Sequence, residues 1–329
     1  MATMKAVQIH EYGGPDVLKY EDVPRPKPKS REILVRIYAA SVNPIDLMMR
    51  SGDALAMVPH LPYILGWDLA GVVEQVGAGV EGYVPGDAVY AAVGSLGGGY
   101  AEYAAIPAFF AAHKPASLDF VSAASVPLVA LTAWQSLFDV AGLSAGQTVL
   151  IHGAAGAVGS KAVQFAKIKG AHVIGTASAR NADFLRELGA DEVIDYKKIR
   201  FEDVVHNVDV VFDTIGGETQ QRSWGVLKKG GILVSVVPPP PDEDTARAQS
   251  VRCQFLASHP SWVQLTQIAR LINAGQVKTI VDTVLPLASA RQAHELSQSS
   301  QTRSKIVLLH HNDSHNQLKT NNRILKSTH

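Results

Sequence analysis

The chain has 329 residues, of which 47% are hydrophobic and 18% charged, enough for about two domains with sizeable cores. Its 30 basic and 30 acidic residues give a formal net charge of zero, which argues against binding nucleic acid or a membrane surface through bulk charge. The single cysteine, Cys253, excludes an internal disulfide framework and a multi-cysteine zinc site. No apolar run reaches the roughly 18 residues that span a bilayer, and residues 1–14 lack the apolar core of a signal peptide. These features predict a cytoplasmic protein.

Residues 1–117 are predicted to form a strand-rich domain with few helices. Its β-type runs are separated by turns rich in glycine, proline and aspartate. The predicted strands are Met4–Ile9, Glu32–Ala40, Ala70–Val76 and Ala88–Ala92. Short strands divided by such turns indicate a small β-barrel-like domain.

From Leu118 the pattern changes to alternating helices and strands. Such alternation predicts a parallel, doubly wound sheet over residues 118–256. The predicted helices are Ser122–Ala141, Lys161–Lys169 and Ala182–Leu188. The predicted strands are Val149–Ile151, His172–Ala177, Glu192–Asp195, Val208–Asp213, Ile232–Val237 and Val251–Leu256.

The last part of the chain is predicted to return to the first domain. Residues 238–244, four prolines followed by three acids, indicate an exposed loop. A helix over Trp262–Ala274 and strands over Ile280–Leu285 and Lys305–Leu309 follow, so residues 257–309 complete the first domain. Residues 310–329 are polar and aperiodic and predict a mobile tail.

Three glycines, Gly153, Gly156 and Gly159, lie between a predicted strand and a predicted helix. In a βαβ unit, a glycine-rich first turn lets a pyrophosphate sit on the helix N-terminus. The alternative is a tight turn with a purely structural role. Because the glycines have a strand before them and a helix after them, they predict a dinucleotide site.

The end of the second strand of this unit indicates which dinucleotide binds. An NAD site usually carries an acid there, which bonds the ribose 2′-hydroxyl. Here the strand runs into Ser178 and Arg180, and the first acid is Asp183. Since a hydroxyl and a guanidinium suit a 2′-phosphate, we predict NADP. The alternative leaves Arg180 in solvent and gives an NAD ribose to Asp183, one turn later.

Six segments resemble the medium-chain dehydrogenase/reductase superfamily. They are residues 39–46 (AASVNPID), 66–71 (GWDLAG), 82–89 (GYVPGDAV), 99–103 (GYAEY), 131–134 (LTAW) and 188–196 (LGADEVIDY). Within the superfamily the chain is similar, over residues 4–309, to the zinc-independent quinone oxidoreductase branch, which includes zeta-crystallin-like proteins and enone reductases. The resemblance implies an α/β fold with a doubly wound parallel Rossmann sheet, a GroES-like β-barrel catalytic domain, and a homodimer.

The chain departs from the zinc enzymes of that superfamily. Asn43 and Trp67 stand where those enzymes place a cysteine and a histidine ligand, and their four-cysteine lobe is missing. Zinc catalysis needs three protein ligands around an open position, so the resemblance implies no metal. It implies instead hydride transfer from NADPH to a quinone or an α,β-unsaturated carbonyl. A non-catalytic NADPH-binding protein of the crystallin kind and an alcohol or carbonyl dehydrogenase remain as alternatives.

Asn43 is the candidate catalytic residue. Its amide either orients the ribose and nicotinamide end of the cofactor or donates a hydrogen bond to the substrate oxygen, where negative charge grows. The proton donor stays open between water and Tyr63, Tyr90 or Tyr100. Lys305 lies in the segment Arg303–Val307, which resembles the terminal Arg-Gly-Lys strand of the family. Together with Ser178 and Arg180, the predicted cofactor-binding residues are Asn43, Thr132, Ala155, Gly156, Ala157, Val158, Tyr196, Thr214, Ile215 and Lys305.

Overall fold

The computed structural model describes residues 2–58, 60–299 and 304–310. The strands are β1 (Thr3–Ile9), β2 (Lys19–Pro24), β3 (Glu32–Ser41), β4 (Tyr63–Ile64), β5 (Asp68–Val76), β6 (Ala88–Ala92), β7 (Tyr103–Pro107), β8 (Ala111–His113), β9 (Thr148–Ile151), β10 (His172–Ala177), β11 (Glu192–Asp195), β12 (Val208–Asp213), β13 (Leu227–Ser235), β14 (Arg252–Phe255), β15 (Val281–Pro286) and β16 (Lys305–Leu309). The helices are α1 (Pro44–Ser51), α2 (Phe120–Ala124), α3 (Pro127–Trp134), α4 (Ala157–Ile168), α5 (Ala182–Glu187), α6 (Gly217–Ser223), α7 (Glu243–Ala248), α8 (Trp262–Asn273) and α9 (Ala290–Gln298).

Two sheets cover most of the strand-rich domain. The larger has the order β15-β16-β3-β5-β6-β8, with β7 paired to the other part of β3, and the smaller is β2-β1-β4. Alternate side chains of β3, including Ile33, Val35 and Ile37, are fully buried with Leu69 and Val73 of β5 in one core. All pairs of the larger sheet are antiparallel except β15 with β16. This arrangement matches the GroES-like domain predicted from the sequence.

The second domain is built on a six-stranded sheet whose paired strands are all parallel. The order is β11-β10-β9-β12-β13-β14. Strands β10 and β11 therefore lie on one side of β9, and strands β12, β13 and β14 lie on its other side. This is the doubly wound order in which the strand sequence reverses between β9 and β12. The prediction of a Rossmann sheet is confirmed, and its crevice lies beyond the carboxyl ends of these strands.

Several predicted bounds differ from the structure, and three of these differences have a clear local cause. The helix predicted over Ser122–Ala141 is divided, because Pro127 has no N–H to continue α2 and instead begins α3, which runs on into a π-helical turn. Helix α4 begins at Ala157, four residues before its predicted start, since Gly159 is part of its first turn. The acidic residues after the prolines begin α7, because the Asp242 side chain accepts a hydrogen bond from Thr245 N.

The chain crosses back to the first sheet after β14. Strands β15 and β16 join the larger sheet, where Val307 pairs with Ser41 at the end of β3. Helix α8, in between, packs against α3 and β8. His310 is buried and its backbone N–H donates to Tyr38 O, whereas the rest of the predicted tail and Arg303 lie outside the described residues. The domain bounds 1–117 with 257–309, and 118–256, stay predictions.

Candidate active site

A cleft of about 650 Å³ runs between the two main sheets. One wall comes from the carboxyl ends of the parallel strands and from the start of α4. The opposite wall comes from the end of β3, the start of α1 and the start of β16. The cleft is lined by Val42, Asn43, Pro44, Val129, His152, Gly153, Ala155, Gly156, Ala157, Val158, Gly159, Thr176, Ala177, Ser178, Arg180, Asn181, Tyr196, Phe201, Thr214, Ile215, Thr219, Arg222, Ser297, Ser304, Lys305 and Ile306.

The turn between β9 and α4 depends on its glycines for different reasons. Gly153 has φ +66°, and a Cβ there would lie 2.5 Å from Thr214 Oγ1. A Cβ at Gly159 would lie 2.3 Å from Gly153 O, so α4 packs directly on the turn. Gly156, the N-cap of α4, has only Gly153 O near a Cβ, at 3.2 Å. The free amides at the start of α4 therefore open onto the cleft and fit an anionic pyrophosphate.

His152 stands behind this turn and is packed inside the second domain. Its ring nitrogens lie 3.1 Å from Thr176 Oγ1 and 2.9 Å from Ser223 Oγ. Burial lowers the pKa of His152 to about 4, so the ring is neutral at physiological pH. The ring links β9 to β10 and α6 and adds no charge to the cleft.

The far end of the cleft carries the residues predicted to select the coenzyme. Ser178 and Arg180 both line it, and Asn181 Nδ2 donates to Ser178 Oγ at 3.3 Å. Tyr196, which follows β11 and is 58% exposed, lines the same end. Asp183 does not line the cleft: its carboxylate is 94% exposed and pairs with Arg186 at 2.8 Å. This placement favours the 2′-phosphate interpretation over the alternative based on Asp183.

The other end of the cleft holds a buried hydrogen-bonded cluster built on Asn43 and Lys305. Lys305 Nζ donates to Asn43 Oδ1, to Val42 O at 3.0 Å and to Asp68 Oδ2 at 3.5 Å. Asn43 Nδ2 donates to Asp68 Oδ2 at 3.0 Å and to Ser41 O at 3.3 Å. Burial lowers the pKa of Lys305, and the nearby carboxylates of Asp68 and Asp46 oppose that shift.

Asp46 supports Asn43 from the first turn of α1. Its carboxylate is fully buried and accepts hydrogen bonds from Asn43 N at 2.9 Å and Gly66 N at 3.1 Å. Burial raises the pKa of Asp46 to about 7. The capping contact holds Asn43 in extended backbone at the point where β3 enters α1.

Comparison with known proteins places this geometry in a family. The family model described as alcohol dehydrogenase GroES-like domain matches residues 29–116, and that described as zinc-binding dehydrogenase matches residues 188–308. The quinone oxidoreductase of Sus scrofa is 33% identical over 324 residues, covering 93% of this chain and 98% of that protein. The chloroplastic NADPH-dependent alkenal/one oxidoreductase of Arabidopsis thaliana is 36% identical over 317 residues, covering 93% of this chain and 79% of that protein. The chain belongs to the zinc-independent quinone oxidoreductase branch of the medium-chain dehydrogenase/reductase superfamily.

A solved structure of this branch contains a bound coenzyme. The crystal structure of Escherichia coli quinone oxidoreductase complexed with NADPH superposes with a TM-score of 0.84 at 31% identity. The match covers 93% of this chain and 99% of that one. The likeness therefore extends over both domains and the cleft between them.

Asn43 and Trp67 stand where zinc enzymes of the superfamily carry ligands, and in this chain they make other contacts. Asn43 belongs to the cluster with Lys305, and the buried Trp67 donates its indole N–H to Met49 Sδ at 3.0 Å. Within residues 2–58, 60–299 and 304–310, no three His, Cys, Asp or Glu side chains are grouped to hold a metal ion. The expected absence of a catalytic metal stays a prediction.

Thr132 is the predicted cofactor residue that the structure does not bring to the cleft wall. Its Oγ1 donates to Leu128 O at 2.8 Å and lies 2.9 Å from Ser258 Oγ. The candidate tyrosines are also engaged elsewhere: Tyr63 and Tyr90 donate to Ser95 O and Leu265 O, and Tyr100 contacts His294. None of these four side chains is among the residues lining the cleft.

Several residues of this site were not predicted from the sequence. Asp68, at the centre of the cluster, is an acid inside the apolar run Leu65–Val73, and that mismatch was a usable signal. Arg222 and Thr219 reach the cleft from α6, and Ser297 reaches it from α9; no pattern in the sequence marks them.

No described helix is long and apolar enough to cross a membrane.

Proposed function

We propose that this protein is an NADPH-dependent, zinc-independent oxidoreductase that transfers hydride to a quinone or an α,β-unsaturated carbonyl. One observation carries the proposal: a single cleft joins the glycine turn and Arg180 at one end to the Asn43–Lys305 cluster at the other. The relatives named quinone oxidoreductase and NADPH-dependent alkenal/one oxidoreductase support both the coenzyme and the acceptor class. When bound, NADPH supplies the hydride, and the chain positions both reactants.

The cleft residues divide the binding of the coenzyme between them. The turn Ala155–Val158 holds the pyrophosphate with the first amides of α4. Ser178 and Arg180 hold the 2′-phosphate, because several N–H and O–H donors can engage its oxygens at once. Tyr196 with Thr214 and Ile215 lies beside the adenosine. We keep Thr132 near the nicotinamide as a prediction, although it does not line the cleft.

Asn43 has one hydrogen-bonding position left for a ligand. Both protons of its amide are used inside the protein, by Asp68 and by Ser41 O. Its Oδ1 accepts one bond from Lys305 and keeps a second lone pair. We therefore infer that Asn43 accepts a hydrogen bond from the cofactor ribose, and that it does not donate to the substrate oxygen.

Proton delivery follows from what faces the cleft. The three candidate tyrosines use their hydroxyl groups elsewhere, and Lys305 donates to three protein acceptors. An acceptor that is already electron-poor needs no strong acid before hydride arrives. Water in the open cleft then protonates the product oxygen or carbon.

A substrate panel with both coenzymes tests the function. Purified protein is mixed with NADPH or NADH and with quinones, enones, alcohols or simple aldehydes, with and without a metal chelator. We expect loss of reduced-nicotinamide absorbance with quinones or enones, faster with NADPH and unchanged by chelator. Tight NADPH binding without turnover of either acceptor would favour a non-catalytic binding protein. Turnover confined to alcohols or aldehydes and abolished by chelator would favour a zinc dehydrogenase.

We further propose a homodimer in the cytoplasm. Strand β14 ends the six-stranded sheet, and its outer edge has no partner strand among the described residues. An unpaired edge can extend a sheet into a second copy about a two-fold axis. The single cysteine agrees with a reducing compartment. Light scattering on the peak eluted from a size-exclusion column tests the homodimer. Cell fractionation tests the cytoplasmic location.

A further inference from the structure

Asp68 is the point at which four separate elements meet. Its Oδ1 accepts from Leu128 N, in the first turn of α3, at 2.8 Å. Its Oδ2 accepts from Ser41 Oγ at 2.6 Å and Asn43 Nδ2 at 3.0 Å, and from Lys305 Nζ at 3.5 Å. A carboxylate accepts about four hydrogen bonds only when it is ionised. One side chain therefore joins β5 to β3, β16 and α3.

Surrounding protein atoms shield the side chains of this cluster from solvent. Asp68 and Asn43 are fully buried, and Lys305 is 4% exposed. All three protons of the Lys305 ammonium have protein acceptors, and Asp68 supplies the negative charge closest to it. Helix α3, held by Asp68, packs against α4, which begins at the glycine turn. The geometry thus connects the orientation of Asn43 with the charge of Lys305.

We propose that Asp68 is the positioning residue of this cleft. Its carboxylate orients the Asn43 amide and keeps Lys305 protonated at the cleft wall, next to the reacting end of the coenzyme. The proposal rests on the proposed function for the identity of the ligand. The arrangement of Asp68, Asn43 and Lys305 is a property of the free protein.

The charge of Lys305 depends on two carboxylates that face it. Burial lowers the pKa of Lys305, whereas Asp68 from β5 and Asp46 from α1 raise it. Replacing Asp68 by the neutral, similarly shaped asparagine removes the nearer charge and leaves burial in place. The pKa of Lys305 must then fall further, so the ammonium is lost at a lower pH than in the wild type.

The first experiment follows the ammonium directly, without cofactor or turnover. Lysine side-chain NMR of the free protein, with the Lys305 signal assigned by its loss in Lys305→Arg, gives the titration midpoint. We expect Lys305 to stay protonated through neutral pH in the wild type. In Asp68→Asn the midpoint should fall by about 1–3 pH units, the range for losing an opposite charge at this distance.

A matched control separates charge from hydrogen bonding. Ser41→Ala also removes a hydrogen bond from the same Asp68 oxygen but leaves the carboxylate charged. Its Lys305 midpoint should stay within about half a pH unit of the wild type, since no charge near the ammonium changes. The charge of Asp68 also raises the pKa of Asp46, so that carboxyl should ionise at lower pH in Asp68→Asn and keep its titration in Ser41→Ala.

Kinetics then connect the charge to function. NADPH oxidation by Asp68→Asn should fall as pH rises through the lowered Lys305 midpoint, mainly in kcat. The double variant Asp68→Asn with Lys305→Arg should lack this pH step, because a guanidinium stays protonated. A purely structural role of Asp68 would lower activity equally at every pH and would not respond to Lys305→Arg.

The outcomes are distinct. An unshifted Lys305 midpoint in folded Asp68→Asn overturns the proposal. If that variant does not fold, the wild-type titration still decides, because a Lys305 that deprotonates below neutral pH contradicts it. A wild type that turns over no quinone or enone overturns the proposed function alone, provided that the NMR shift is present.

Discussion

The cleft wall carries cationic side chains that differ in which carboxylate, if any, balances their charge. They are Arg180, Arg222 and Lys305. Arg222 pairs with Glu202 at 3.1 Å, and Lys305 is held by Asp68. Arg180 is exposed and makes no hydrogen bond or ion pair within the part of the chain that the structure describes. A ligand anion can therefore bind Arg180 without displacing a protein carboxylate. Such a displacement would reduce the binding free energy.

Replacing Arg180 by alanine should separate the two coenzymes. Charge-assisted hydrogen bonds contribute about 1.5–3 kcal/mol, so we expect NADPH affinity to fall roughly 10- to 100-fold. NADH, which lacks the 2′-phosphate, should lose less than about threefold. Titration calorimetry measures both constants, with Arg186→Ala as an exposed control. Equal losses for the two coenzymes would contradict the phosphate role of Arg180.

The β9–α4 turn shows how one element uses similar glycines for separate purposes. Gly159 lets the helix approach the turn, because a Cβ there would meet backbone atoms at 2.3 and 2.7 Å. Gly156 leaves space at the start of the helix, on the side of the cleft. We expect the first to be needed for folding, and the second for close approach of a pyrophosphate.

Alanine substitutions at the two positions should therefore affect different properties, mainly stability at Gly159 and mainly coenzyme affinity at Gly156. Gly159→Ala should lower the free energy of unfolding by about 1–3 kcal/mol, the usual cost of overpacking. Gly156→Ala should cost no more than about 1 kcal/mol of stability, as at other N-caps. Its NADPH affinity should nevertheless fall roughly tenfold, through lost contact with the helix amides. Urea unfolding and coenzyme titration on both variants check this, and the same stability loss in both would refute it.

At the scale of the whole molecule, a buried lysine marks the joint between the domains. Lys161 lies on α4, is 3% exposed, and donates to Lys278 O in the segment that leads back to β15. Gln164, one turn further along, bonds both the N–H and the carbonyl of Lys278. Burial lowers the pKa of Lys161 from its usual 10.5 to about 7. The joint therefore carries an ionisable group that the unfolded chain leaves in water.

This buried lysine should make stability depend on pH. Between pH 7 and 10.5 the unfolded chain binds the Lys161 proton and the folded chain has released it, so stability rises with pH across that window. Below it both states are protonated and the slope vanishes. Across the whole window we expect the free energy of unfolding to rise about 5 kcal/mol more in the wild type than in Lys161→Met, because each pH unit between the two pKa values contributes about 1.4 kcal/mol. Urea unfolding at several pH values measures this, with the exposed Lys169→Met as control. Identical slopes in all three proteins would rule it out.

Local patterns in the sequence were sufficient for several parts of the fold and the site. Strands β6, β11, β12 and β16 have the predicted bounds because a short apolar run between turn residues determines a strand locally. Ser178 and Arg180 were found in the same way, since they directly follow β10. The glycine turn also depends on neighbours in sequence. Its role could therefore be predicted before any long-range contact was known.

Only the tertiary structure brought Asn43, Asp68 and Lys305 together. Asn43 and Lys305 are 262 residues apart in sequence, and their contact depends on β16 pairing with β3. No local pattern determines such a pairing, because its energy comes from burying side chains that lie far apart along the chain. The sequence by itself thus determined a glycine turn between a strand and a helix, and it predicted the residues that would hold a 2′-phosphate. The packing of two sheets decided which polar groups form the opposite wall of the cleft, and it uses both amide protons of Asn43 inside the protein.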